Sequence, residues 1–256
     1  MSAHTPARPA ATVVVLRDSP KGPELLMLRR SRKSTFFPHA WVFPGGRVDA
    51  ADEAVRVRGA VDDLPEARTP FAVAAVRECF EEAGVWLGDG SPGADLRDAL
   101  NARNATLRDA PELVADLDRL EQWSWWITPE VEPKRYDTLF FITALRPDEL
   151  EVSVSHDAVE TVDSAWLRPE DALNASDFFL APPTYLTLKE LLPFQTAAAA
   201  VAAARARPVR PIMPVHHQDE AGRLIIALPG DPLHSVPEPA TLTTRVVLRD
   251  GRWEIG

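Results

Sequence analysis

Arg77-Glu78-Cys79-Phe80-Glu81-Glu82-Ala83-Gly84-Val85 is the stretch on which the reading of this chain turns. Thr69-Pro70 opens a helix with proline in its first turn, and Gly84 closes it. At roughly 100° per residue, Glu78, Glu81 and Glu82 share about a 100° arc, while Val73, Val76 and Phe80 fall on the opposite side. Arg77 lies beside Glu81 at helical spacing, where the two can pair. Three like charges on one arc repel, and a helix does not need them. A hard divalent cation removes that repulsion, because Mg²⁺ and Mn²⁺ prefer oxygen ligands and bridge carboxylates to phosphates. The plainer alternative is a solvated acidic face. Glu78, Glu81 and Glu82 are therefore the candidate metal ligands.

Working outward, Phe43-Pro44-Gly45-Gly46 precedes the helix and reads as a strand end followed by a glycine turn free to take positive φ. Upstream, Ala11–Leu16 and Glu24–Leu28 read as paired strands, and Arg29 to Thr35 as a basic loop. Downstream, helices are expected over Asp95–Arg103, Pro111–Gln122, Arg168–Leu173 and Pro183–Arg205. Strands are expected over Thr138–Thr143, Ala165–Leu167, Arg223–Leu228 and Arg245–Leu248, with a hairpin at Asp250-Gly251. The class is α+β.

The chain has 256 residues, 45% hydrophobic and 26% charged, which suits a soluble globular protein with a real core. A net charge of −10 argues against nucleic acid or an anionic membrane as a main partner. One cysteine, Cys79, excludes an intramolecular disulfide and a multi-cysteine zinc site. With no signal-peptide pattern and no apolar run long enough to span a bilayer, a cytoplasmic location is expected. Other signals carry bland readings: Gly88-Asp89-Gly90-Ser91-Pro92-Gly93 a loop, the tryptophans at 123, 125 and 126 packing, and His216-His217 a surface pair.

Taken together, Gly46, Arg77, Glu78, Glu81, Glu82, Gly84 and Val85 resemble the Nudix signature, Gly-x5-Glu-x7-Arg-Glu-U-x-Glu-Glu-x-Gly-U, with U a bulky apolar residue. Asp52 stands where that pattern has its first Glu, with Glu53 beside it. Some 24 residues separate Asp52 from Arg77, so an insertion of about residues 53–69 splits the box and reads as a loop. A split box of this kind is similar to the superfamily branch that includes a peroxisomal coenzyme A diphosphatase. Trp126-Ile127-Thr128-Pro129 and Lys134 to Phe141 share that likeness, which runs from about Ala11 to Leu192. Arg30 and Ser31 match a basic motif of coenzyme A hydrolases, while Thr35 and His39 depart from it.

The resemblance implies an α/β/α sandwich with a mixed central sheet, extra helices and a proline-rich C-terminal extension. The hydrolase domain would span 1–206 and the extension 207–256. It further implies divalent-metal-dependent cleavage of a nucleoside diphosphate linked to another moiety, coenzyme A or acyl-coenzyme A among them. Mg²⁺ or Mn²⁺ would sit on Glu78, Glu81 and Glu82; Arg77, Glu81 and Glu82 would serve catalysis; Arg30, Arg47, Gly45 and Gly46 would contact substrate. Asp157 and Glu160 are candidates for a further acidic ligand, and a homodimer is expected. Two alternatives stand beside this: a Nudix-fold ligand sensor without turnover, and a prenyl diphosphate isomerase. Cys79, inside the helix, speaks against the isomerase.

Overall fold

Arg8–Ser19 (β1) is apolar on both of its faces, and this decides the layering. Val13 and Val15 enter one buried cluster, Val14 and Leu16 another. A strand reads as a continuous apolar run when its sheet is covered on both sides. In the computed structural model, residues 5–32, 38–149, 161–176 and 178–256 are described. Asp157, Glu160, Lys33 and Thr35 fall outside the described residues.

β1 turns at Gly22, whose φ is 114°, into Gly22–Arg30 (β2), its antiparallel neighbour. Trp41–Val42 (β3) adds to β2, and Gly45–Arg47 (β4) adds to β1 with Gly46 opposite Ala11. The next strands, Val57–Arg58 (β5), Gly88–Asp89 (β6) and Val114–Asp116 (β7), form a small separate sheet. Glu121–Ile127 (β8), Tyr136–Ala144 (β9) and Thr161–Leu167 (β10) return to the main sheet. Pro211–Ile212 (β11) joins it too, giving the order β10-β2-β1-β9-β8-β11. β1 runs parallel to β9 and β11 parallel to β8, while the remaining neighbours are antiparallel. The sheet is mixed, as expected.

Thr69–Ala83 (α1) covers one face of this sheet with Val73, Val76 and Phe80, and Ala94–Asn101 (α2) packs beside it. Pro169–Asn174 (α3), Pro182–Leu191 (α4) and Ala197–Arg205 (α5) lie on the other face. There Ala197, Ala200 and Ala204 of α5 are buried, so the alanine tract serves close packing. A C-terminal antiparallel sheet completes this layer: Val215–Gln218 (β12), Leu224–Ala227 (β13), Arg245–Arg249 (β14) and Arg252–Ile255 (β15). Ile226, Leu228 and Val246 share the apolar cluster of α4 and α5, so the extension packs into the core of the preceding chain. No helix among the described residues is long and apolar enough to cross a membrane.

Four expectations need correcting. Pro111–Gln122 is not a helix: the Ala115 N–H donates to the Arg56 carbonyl and the Asp116 N–H to the Leu87 carbonyl, so sheet partners far along the chain override the helical spacing of Leu113, Leu117 and Leu120. Pro183–Arg205 is two helices. Pro193 brings no N–H to continue α4, and Thr196 starts α5 by accepting from the Ala199 N–H at 3.1 Å. The insertion is not all loop, because it contributes β5 and the short 3₁₀ turn Glu66–Arg68, and it starts within another such turn, Ala50–Ala54. Finally, Gly45-Gly46 is a strand whose residues do not take positive φ. Its glycines answer a need for space: a Cβ on Gly45 would lie 2.5 Å from the Ala11 carbonyl oxygen.

Candidate active site

The C-terminal half of α1 sets Glu78 and Glu82 against β4, with its three carboxylates largely withdrawn from solvent. Gly84, at φ 73°, ends the helix in the left-handed region and donates to the Phe80 carbonyl at 2.8 Å. The side chains of Glu78 and Glu81 are 15% and 17% exposed, and Glu82 is buried. A plain solvated acidic face is thereby excluded. Glu82 Oε2 accepts from the Gly45 N–H at 2.9 Å, which ties the helix to the glycine strand. Gly46 faces Glu78 so closely that a Cβ there would sit 2.5 Å from Glu78 Cδ.

Arg77 is the hub. Its Nη1 donates to Glu78 at 2.8 Å and to Glu81 at 3.3 Å, and its Nη2 donates to the Arg47 carbonyl at 2.8 Å. Its Nε and Nη2 fork onto Asp52 at 2.8 and 3.1 Å. Asp52 is itself fixed by the Asp49 N–H at 2.7 Å, within a capping box that starts the Ala50–Ala54 turn. The aspartate in place of the signature's first glutamate thus holds the arginine. Burial opposes the Arg77 charge, yet hydrogen bonding to Asp52 and the fields of Glu78, Asp52 and Glu81 outweigh it, so the guanidinium stays above its ordinary range. Burial pushes the Glu81 carboxyl up, against the pull of Arg77. Burial also raises the Cys79 thiol, helped by Glu82, which leaves that sulfur inert.

Two residues of α2 finish the site and had no signal in the sequence. Arg97 donates to the Glu81 and Glu82 carbonyls, both at 2.9 Å, and Asn101 donates to the Glu81 carbonyl at 3.2 Å. These carbonyls belong to the last turn of α1, which has no helical partners of its own. The carboxylates therefore stand on a helix end whose last carbonyls are tied down by α2.

In front of Gly45 opens a cleft of about 400 Å³. Its floor holds Thr12, Phe43, Trp126 and Phe140, and Arg30 lines it as well. Of the expected substrate contacts, Gly45 and Arg30 border this cleft, Gly46 faces Glu78, and Arg47 offers its carbonyl to Arg77 while its side chain is exposed. Of the tryptophans, Trp123 is buried under Arg207, Trp125 stacks on Arg68, and Trp126 faces the cleft.

Among the described residues, no three His, Cys, Asp or Glu side chains converge as a ready metal cage. Glu78 and Glu81 turn to Arg77, and Glu82 turns to Gly45. The donors are nevertheless all oxygen, cluster at one helix end, and lie against a strand whose glycine leaves them room, so they fit a hard divalent cation.

A family model described as the NUDT19 Nudix domain matches residues 54–191, more than half of the chain. Acyl-coenzyme A diphosphatase NUDT19 of Xenopus laevis is 26% identical over 283 residues, a match covering 86% of this chain and 73% of that protein. Its namesake in Gallus gallus is 31% identical over 246 residues, covering 70% of this chain and 64% of that protein, so less than two thirds of that relative's length is spanned. The crystal structure of a NUDIX hydrolase from Alicyclobacillus acidocaldarius is similar with a TM-score of 0.65 at 29% identity, covering 78% of this chain and 97% of that one.

Proposed function

Because the chain belongs to the Nudix family represented by the NUDT19 Nudix domain, we propose that it is a divalent-metal-dependent diphosphatase acting on coenzyme A or an acyl-coenzyme A. The observation that carries this reading is the placing of Glu78 and Glu81 on Arg77 and of Glu82 on Gly45, whose strand borders an aromatic cleft. A ligand sensor would not need those three acids kept together.

Glu78, Glu81 and Glu82 would hold Mg²⁺ or Mn²⁺. Such a cation neutralises a diphosphate and lowers the pKa of an attacking water. The chain's own residues do the rest. Arg77, held by Asp52, bridges Glu78 and Glu81 through one nitrogen and orients them. Glu81, its carboxyl pushed up by burial against the pull of Arg77, is the residue we assign as general base. Arg30, at the cleft, supplies positive charge towards the phosphates. The apolar floor excludes water from the organic part of the substrate.

The test is incubation of the purified protein with Mg²⁺ or Mn²⁺ and a panel of diphosphates, with products identified by mass. Adenosine 3′,5′-bisphosphate and an (acyl-)phosphopantetheine are expected. AMP and ribose 5-phosphate would move the assignment to ADP-ribose, and binding with no product would favour the sensor. A cytoplasmic location and a homodimer belong to the same proposal; fractionation and sedimentation read them out.

A further inference from the structure

The cleft has a wall that lies outside the signature and outside residues 54–191. Pro214, His216 and Ile226, all from the C-terminal extension, line it along with Phe43 and Trp126. His216 of β12 and Ile226 of β13 are cross-strand partners, so both belong to one face of the C-terminal sheet. We propose that this sheet is a working part of the ligand site, and that its Pro214–His216–Ile226 wall selects diphosphates bearing an extended, largely apolar arm. The proposal rests on the diphosphatase reading and adds to it the region that judges the arm.

The wall is built rigidly from both ends. β11 lies parallel to β8 with Pro211 opposite Trp125 and Ile212 opposite Trp126, so the strand that leads into the wall shares a register with the cleft floor. His234 Nε2 donates to the Met213 carbonyl at 3.0 Å in the matching tautomer, which fixes the residue just ahead of Pro214. On the far side, the Trp253 indole N–H donates to the Leu180 carbonyl at 2.9 Å, tying β15 to the segment before α4. Ile226 is 3% exposed and packs with the core. A surface fixed before its ligand arrives loses little freedom on binding, which favours discrimination.

The chemistry of the lining sets the class of ligand. About 400 Å³ lies within the span of small-molecule sites, and aromatic, proline and aliphatic residues together make up most of its lining, beside several threonines and Glu132. Its apolar residues suit the organic arm, with the phosphates towards Gly45 and Arg30. His216 stands exposed on the strand, where bulk can be added without disturbing the core.

The experiment compares wild type, H216W and Q218W as full-length proteins. Gln218 lies two residues along the same strand, on the same face but outside the cleft lining. Binding of coenzyme A, decanoyl-coenzyme A and ADP-ribose is measured by calorimetry in Ca²⁺, and KM and kcat in Mg²⁺. H216W is expected to weaken decanoyl-coenzyme A about tenfold, through KM rather than kcat, with a smaller effect on ADP-ribose. Q218W should match wild type, and all three proteins should melt together. Wild-type affinity in H216W overturns the wall and leaves the diphosphatase reading standing. Binding that responds to H216W without any turnover overturns the diphosphatase reading and leaves the wall standing. Failure of the wild type to bind any of the three overturns both.

Discussion

The two layers covering the central sheet do opposite work, and they meet at Gly45. On one side, α1 brings a buried ionic network centred on Arg77, with Asp52, Glu78 and Glu81 as its partners. On the other, α4 and the C-terminal sheet border an aromatic cleft. Gly45 donates its N–H to Glu82 of the first and lines the second. Charge is thus concentrated where a bond would break, and apolar surface where a substrate would be recognised. A two-sided sheet allows this because its alternate side chains point to different layers.

The contrast can be attacked from either side. The largest expected effect is chemical: E82Q should lower metal-dependent diphosphate hydrolysis by about a hundredfold or more, since the ligand and its charge are lost while the Gly45 contact can persist. Unchanged turnover would remove the carboxylate helix from the mechanism. Next comes D52N, which removes the charge and one arm of the buried fork on Arg77 and should cost about 3 kcal/mol of stability in urea unfolding. A cost close to zero would mean that Glu78 and Glu81 suffice to hold the arginine.

In the other layer, D231N tests a partly exposed pair. Asp231 accepts from Arg245 at 2.7 and 2.8 Å, and this hydrogen bonding outweighs burial to hold its carboxyl below the ordinary aspartate range. A depressed folded pKa gives stability that is present above the unfolded value of about 3.9 and lost as pH falls through the folded one. The substitution should cost about 1–2 kcal/mol at pH 7, with the difference from wild type closing in acid below about pH 4. A cost that persists in acid would point to packing instead of charge. The smallest effect is G46A, whose methyl group must push Glu78 aside: activity should fall about tenfold with little change in melting temperature. Should G46A melt early, the glycine would belong to the sheet more than to the site.

Local pattern carried α1 well. Its start at Pro70, its end at Gly84 and its acidic arc depend on spacing and on two residues with special backbones. The strands of the main sheet were legible for a similar reason, because β1, β2 and β9 are apolar runs bounded by turns. Pro111–Gln122 was misread because its apolar spacing fits a helix while its backbone partners, Arg56 and Leu87, lie tens of residues away. Gly45-Gly46 was placed correctly and explained wrongly: crowding by β1 and Glu78 demands the glycines. Arg97 and Asn101 could not be found at all, since nothing local tells which residue of α2 will meet the end of α1.

By itself the sequence placed three acids on one helical arc, because that follows from residue type at helical spacing, and its likeness to the Nudix signature pointed to the family. Only the tertiary structure decided that Asp52 anchors Arg77, that α2 secures the last turn of α1, and that the C-terminal strands border the cleft. Each of these joins segments distant along the chain, and such contacts are chosen by the packing of whole layers, which no local pattern encodes.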